Sequence, residues 1–337
     1  MPTDRPQSSL SSADLGARVV IRYRLHDGTS RASDVIGELV DFRDDVAVVR
    51  PQRSPEDLLH VSWADVLAAK RIPKRRVTRR EVRRVEAAAA GGWVADETGW
   101  VGPPGGWLLR AAAGFTSRAN SCLPLGSPGQ PLDQAVDEVI AWYRARGLPP
   151  VFALPTLLGS GLGEYLDARG WPAPSEEVLV LTGTTDDVAE VAEIAEASLV
   201  HPGVRIEPEP DERWLAGYRY RGEPAPPGAN RVLRRGDRLA FAAVDDDSGH
   251  LIAMGRCSVS RDPDGGLWAG ITAVEVAPTR RRQGLGQAVV VALIRWAREA
   301  GATMTYLQVA ESNTAARSAY ERLGFSEHHR YSYRRLG

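Results

Sequence analysis

The chain has 337 residues, of which 43% are hydrophobic and 25% charged, with a formal net charge of -1. This length suits two or three domains, and the near-neutral balance by itself selects no class of partner. No apolar run approaches the roughly 20 residues that a membrane helix needs, which argues against a membrane partner.

The N-terminal stretch MPTDRPQSSLSSADLG is polar and has no apolar export core, so the expected location is cytoplasmic. Residues 1–13 read as a disordered tail. Residues 14–72 show short strands at Arg18–Tyr23, Val35–Phe42, Val46–Arg50 and Leu59–Trp63, with turns at His26–Gly28 and Arg43–Asp45. Ala64–Lys70 is expected to be a closing helical turn. Strands this short and closely spaced predict a small SH3-like β-barrel, and it carries no catalytic constellation. Residues 73–84 form a basic linker running into a helix, within the strongly basic run Lys70–Arg84. That run reads as a solvated linker or as a contact for nucleic acid or an acidic protein. Its lack of interleaved aromatics favours the first.

Residues 85–175 follow the order strand, loop, helix, strand, helix: Trp107–Ala112, GFTSRANS and LPLGSPGQP, Leu132–Arg146, Val151–Leu154 and Leu162–Arg169. The last region, 176–337, has the clearest pattern. A strand at Val178–Leu181 precedes a helix at Asp186–Leu199 with Thr184–Thr185 as its N-cap, and Asp211–Tyr218 reads as a second helix. Strands at Leu239–Val244, Leu251–Ser260 and Leu267–Val276 are separated by hairpin turns rich in Asp and Gly. A long helix at Gly284–Ala300, a strand at Thr303–Val309, a helix at Thr314–Leu323 and a strand at His328–Tyr333 complete the chain. Cys122 and Cys257 lie far apart, form no metal-ligand cluster and read as buried, reduced thiols; no metal is expected.

The chemistry concentrates in Val274–Gly286, where a strand runs into a loop of cations and glycines that opens a helix. Unpaired N–H groups at a helix start, together with the helix dipole, favour an anion there. Gly284 and Gly286 let a phosphate approach the backbone, and Arg281 and Arg282 add charge. The loop matches neither the dinucleotide fingerprint nor the P-loop. After the next strand comes Glu311–Phe325, with Asn313, Ala316, Tyr320 and Gly324–Phe325.

Together these two stretches resemble the GNAT superfamily of N-acetyltransferases over residues 176–335. The family's arginine-or-glutamine-x-x-glycine-x-glycine loop corresponds to Arg281, Gly284 and Gly286. Its downstream asparagine, alanine, tyrosine and glycine-phenylalanine pattern corresponds to Asn313, Ala316, Tyr320 and Gly324–Phe325. The resemblance implies an α/β (α+β) fold with a mixed central sheet, and acetyl-CoA as co-substrate. Val274 and Val276 would offer backbone groups to the acyl carbonyl and pantetheine arm. Arg281, Arg282, Gln283, Gly284, Leu285, Gly286 and Gln287 would hold the pyrophosphate, and Asn313 and Ala316 would flank the pantetheine. Tyr320 would protonate the departing thiolate. The region 85–175 resembles a degenerate, partial copy of the same fold without the arginine-glycine loop, as in tandem members, and only one clear strand follows Phe325 where the family has two. The whole layout is similar to actinobacterial GNAT proteins with an N-terminal SH3-like domain.

The base is open. Many family members carry a glutamate or histidine where this chain has Thr272 and Gly270. Glu275 is the only acid on the strand leading to the loop, yet alternation puts it on the opposite face from Val274 and Val276 unless a bulge intervenes. A water chain or an acid from elsewhere would serve equally. Glu207, Glu209, Asp211 and Glu212 either attract a cationic amine or form a solvated acidic loop. The expected activity is acetyl transfer to a primary amine, on a small molecule or on a protein lysine or N-terminus. The alternative is a coenzyme-A-binding regulatory module in which the barrel and basic run engage nucleic acid or protein.

Overall fold

A computed structural model describes residues 10–26, 32–52, 57–73, 76–174, 176–196, 203–220 and 222–336. Four sequence expectations reach beyond these residues: the tail over 1–9, the turn at Asp27–Gly28, positions 74–75 of the basic run, and the helix after Glu196. The chain divides into two units, Met1–Arg76 and Val77–Gly337.

The first unit is a five-stranded antiparallel sheet of β1 (Arg18–Arg24), β2 (Ala32–Phe42), β3 (Val46–Pro51), β4 (Leu59–Ser62) and β5 (Val66–Arg71), in the order β4-β3-β2-β1-β5. Val19, Ile21, Val35 and Leu39 alternate inward and meet Val61, Trp63 and Val66 in one core. The expected tail gains order before its predicted end. Leu10 is buried in this core, and Ser12–Asp14 forms a short 3-10 helix. The expected helical turn at Ala64–Lys70 is instead the strand β5. Pairing with β1 across Val19↔Arg71 to Tyr23↔Val66, which buries Val66 and Ala69, overrides the helical preference of alanine.

The second unit opens with α1 (Arg79–Gly92), whose start is closed by a capping box between Thr78 and Glu81. Then follow β6 (Glu97–Val101), β7 (Trp107–Ala111), β8 (Leu123–Pro124), α2 (Leu132–Arg144), β9 (Val151–Pro155), α3 (Leu162–Ala168) and β10 (Glu177–Thr184). Next come α4 (Thr185–Glu196), with the Thr184 hydroxyl accepting from Asp187 N–H, then β11 (Arg205–Glu207) and α5 (Glu212–Gly217). The small pair β12 (Arg219–Tyr220) and β13 (Glu223–Pro224) precedes α6 (Ala229–Leu233). The rest is β14 (Arg238–Asp245), β15 (Leu251–Arg261), β16 (Leu267–Val276), α7 (Leu285–Glu299), β17 (Met304–Ala310), α8 (Thr314–Arg322) and β18 (Ser326–Arg335). Buried Leu285, Val289, Leu293 and Ala297 of α7 pack into the core built on β14, β15 and β16.

The main sheet has eight strands in the order β11-β14-β15-β16-β17-β10-β18-β9. It is mixed: β16 and β17 are parallel and the other neighbours antiparallel. Two runs of elements repeat. The run β14-β15-β16-α7-β17-α8-β18 has its counterpart in β6-β7-β8-α2-β9-α3-β10. The counterpart keeps the parallel contact as a single bridge, Cys122↔Phe152. Each run ends by lending its last strand to the other: β10 pairs with β17, and β18 pairs with β9. The strand missing after Phe325 is therefore supplied by β10, and the 85–175 region and the C-terminal region share one continuous sheet. Beside β8 and β9 in the N-terminal run, Leu123, Leu125 and Ala153 pack against Ala87 and Ala90 of α1. Cys122 and Cys257 are buried free thiols. Among the described residues no helix is long and apolar enough to cross a membrane.

Candidate active site

The parallel ladder between β16 and β17 runs from Trp268↔Met304 to Ile271↔Leu307 and stops there. Beyond it lies a cavity of about 450 Å³, lined by Thr272–Glu275 on one side and Gln308–Ala310 on the other. A bulge accompanies the opening. Met254 faces Glu275 and Arg256 faces Thr272, so Gly255 alone stands opposite Ala273 and Val274. Ala273 takes the left-handed conformation, φ 54°. Gly255 is required by close packing, since a Cβ there would sit 2.6 Å from Cγ1 of Val289 on α7. The bulge also removes the objection raised by alternation, because Val274 and Glu275 both line the cavity.

Glu275 is half-buried, and its Oε1 accepts the backbone N–H of Arg219 at 3.2 Å. Burial raises its carboxyl above the ordinary glutamate value, against the pull of that N–H and of the Arg219 and Arg281 guanidinia. Tyr320 reaches the cavity from α8, its ring edge-on to Phe325 at 6.1 Å, and burial pushes its phenol up to about 12. Asn313 is the N-cap of α8, with Oδ1 accepting from Ala316 N–H at 3.1 Å; both residues line the cavity.

The loop 281–287 and Val276 are not among the cavity's lining residues. Gly284 is the N-cap of α7 with φ 81°, a conformation that suits glycine, and no side chain caps the helix start. The first-turn N–H groups of Leu285, Gly286 and Gln287 thus remain available to an anion. The side chain of Leu285 is buried in the core, which leaves its N–H as the group it can offer. Arg281, Arg282 and Gln283 are exposed, and Nε of Arg281 reaches Val276 O at 3.4 Å. A Cβ at Gly286 would lie 3.4 Å from Cγ2 of Val276, so this glycine faces the strand end. The uncapped helix start and the opened strands fit the pyrophosphate and pantetheine of acetyl-CoA.

Sequence reasoning missed the opposite wall, formed by Trp93, Thr116, Ser117, Arg118, Tyr218 and Tyr220. Arg118 stands on the loop after β7, which buried Asn120 braces. Its Oδ1 accepts from Ala112 and Gly114 N–H at 2.7 and 3.0 Å, and its Nδ2 donates to the carbonyls of Phe115, Thr116 and Ala112 at 2.6, 3.0 and 3.3 Å. The only local signal was the run GFTSRANS itself. The acidic residues Glu207, Glu209 and Asp211 pair with Arg205, Arg234 and Arg213, and neither they nor Glu212 line the cavity. In the basic run, Arg80 and Arg84 pair with Asp264 and Asp262 at the β15–β16 turn. Among the described residues no group of three His, Cys, Asp or Glu side chains could hold a metal.

Residues 79–334 match the family described as the C-terminal region of the probable histone acetyltransferase Rv0428c. The chain belongs to the GNAT superfamily of N-acetyltransferases. Residues 13–70 match the N-terminal Sm-like domain of Rv0428c, in keeping with the small β-domain of the first unit. The probable histone acetyltransferase Rv0428c of Mycobacterium tuberculosis is 29% identical over 95% of this chain and 94% of its own length. YobR of Bacillus subtilis, an uncharacterized N-acetyltransferase, is 30% identical over 74% of this chain and 97% of its own. A solved GCN5-related N-acetyltransferase from Kribbella flavida shares the fold, with a TM-score of 0.53 and 16% identity over 75% of this chain and 95% of its own. As an N-acetyltransferase, the protein has the opening between β16 and β17 as its candidate site of acetyl transfer.

Proposed function

We propose that this N-acetyltransferase moves the acetyl group of acetyl-CoA to a primary amine by direct attack, with both substrates bound together in the cavity beyond Ile271 and Leu307. One observation carries the reading: Glu275, Tyr320, Asn313 and the free strand edge of Val274 all line that one cavity. Arg281, Arg282, Gln283 and the first-turn N–H groups of α7 hold the pyrophosphate, and the backbone of Val274 and Val276, with Asn313 and Ala316, holds the pantetheine arm.

Glu275 accepts a proton from the ammonium, directly or through water. The amine nitrogen attacks the thioester carbonyl carbon, the C–N bond forms, and the C–S bond breaks. Tyr320 donates its phenol proton to the departing sulfur and is reprotonated as the amide nitrogen loses its second proton. The sum is an ammonium and a thioester giving an amide, a thiol and one proton. A raised carboxyl suits Glu275 for this task because it holds a proton more readily than an exposed glutamate. Tyr320, kept protonated by burial, is supplied as a donor at neutral pH. The test is release of free thiol from acetyl-CoA across small amines and lysine peptides. No thiol release with any acceptor, at any amine concentration, would sink the reading.

A further inference from the structure

We infer that the acceptor is a small amine that also carries a carboxylate, of amino-acid type, with its ammonium at Glu275 and its carboxylate at Arg118. The inference rests on the reading of this cavity as the site of acetyl transfer.

Among the described residues, two charges of opposite sign line the cavity without forming an ion pair. Arg118 is partly buried, and its guanidinium meets neutral groups: Nε donates to Oε1 of Gln308 at 2.5 Å, Nη2 lies 3.5 Å from the Gln308 backbone oxygen, and the Tyr331 hydroxyl lies beside it. Among the described residues no carboxylate pairs with it. This is unlike Arg84, Arg205 and Arg235, which meet Asp262, Asp245 and Asp96. Glu275 is the mirror case: it accepts one backbone N–H, and among the described residues no cation forms an ion pair with it, the Arg219 and Arg281 guanidinia acting only from farther off. The remaining charged lining groups differ. Arg219 is exposed, with its guanidinium on the carbonyls of Ala216 and Tyr218, and exposed Glu176 accepts the Ser312 hydroxyl.

A guanidinium withdrawn from water and left without an anion is costly, and its planar fork matches a carboxylate. Bound between the two, a zwitterion satisfies both charges at once. The volume of about 450 Å³ suits a small molecule, and Trp93, Tyr218 and Tyr220 supply apolar wall for its body. The ε-amine of a lysine within a polypeptide carries no carboxylate to offer Arg118.

The test compares kcat/KM for α-, β- and ω-amino acids with the matching carboxamides and with a lysine peptide. The wild-type enzyme should favour the best amino acid over its carboxamide by at least about tenfold, the lower end of the penalty when a buried polar group loses its partner. Arg118→Gln should collapse that ratio toward one, and Arg118→Lys should restore part of it. Should Arg118→Gln fail to fold, the wild-type ratio decides alone. Equal rates for acid and carboxamide, or turnover confined to the peptide, overturn this inference and leave acetyl transfer standing. No thiol release with any acceptor overturns the reading beneath it.

Discussion

Nε of Arg118 donates to the side-chain oxygen of Gln308 at 2.5 Å, joining the loop after β7 to the strand that walls the cavity. The two residues are 190 positions apart and belong to the two different runs of the repeat. The site is therefore composite. The C-terminal run opens the sheet and supplies Glu275 and Tyr320, and the N-terminal run closes the cavity with Arg118, beside Trp93 at the end of α1. The N-terminal run, lacking the arginine-glycine loop, is expected to act on this one site.

Tyr320→Phe removes the proposed proton donor and leaves the ring that stacks edge-on with Phe325. Turnover should fall by roughly 100-fold, within the range of general acid catalysis. The KM for acetyl-CoA should stay within about twofold, because the phenol acts in the transition state. Steady-state kinetics separates the two; unchanged turnover removes Tyr320 from the mechanism.

The acid limb of kcat/KM for a given amine should reflect Glu275, and it should lie above the ordinary glutamate value because burial raises this carboxyl. Activity rises as Glu275 loses its proton. Glu275→Gln should flatten that limb and lower the plateau. The sign for stability is the reverse. A carboxyl with a raised folded pKa favours folding most when protonated, so its contribution fades as pH climbs through that pKa. At pH 7 the glutamine variant should melt no lower than the wild type, which a thermal scan at several pH values will show.

Gly284 has φ 81° at the N-cap of α7. Gly284→Ala should cost about 1 kcal/mol of stability, the usual price of a left-handed alanine, read as a lower denaturant midpoint. Gly284→Glu adds an acid between the exposed Arg282 and the helix start. Calorimetric affinity for acetyl-CoA should drop at least about tenfold, roughly 1.4 kcal/mol. Undiminished binding in this variant places the pyrophosphate elsewhere.

Asn120 satisfies two N–H groups and three carbonyls of the loop that bears Arg118. Asn120→Ala leaves the buried N–H of Ala112 and carbonyl of Phe115 without this partner, while the carbonyls of Ala112 and Thr116 keep the N–H groups of Phe115 and Ala119, and should destabilise the protein by about 2 kcal/mol. Asn120→Asp keeps the acceptor oxygen but turns an anion toward three carbonyls, and should be worse. Chemical denaturation gives the first effect. The KM for the amine acceptor should rise more than that for acetyl-CoA, because the loop walls the acceptor side.

Much of this was legible because local pattern and tertiary role agreed. The hairpins of β14, β15 and β16 follow their Asp-Gly turns, and α7 carries its apolar face from Leu285 to Ala297. Glu275 was ambiguous because alternation holds only until a bulge shifts the count, and alanine at position 273 gives no sign of φ 54°. β5 was misread because its alanines favour helix until β1 pairs with them. β6, with Glu97, Thr98 and Trp100 exposed, shows almost no burial pattern to find. Arg118 was missed for a different reason. Its place in the site depends on strands and loops brought together across most of the second unit, and nothing in its neighbours announces that.

The mutual loan of β10 and β18 has a consequence for how the second unit can be divided. A cut in the α3–β10 connection would leave an N-terminal piece whose β9 has lost its neighbour, and a C-terminal piece carrying both β10 and β18. A cut after β10 would strand that segment on the wrong fragment and bare the edge of β17. The two break points are thus unequal. Only the first yields a C-terminal fragment with an uninterrupted seven-strand sheet, and that sheet ends in an open β18 edge shaped to recapture the missing piece. Of the two break points, the one near Pro174 is therefore the one expected to give fragments that reassociate through the β18 edge.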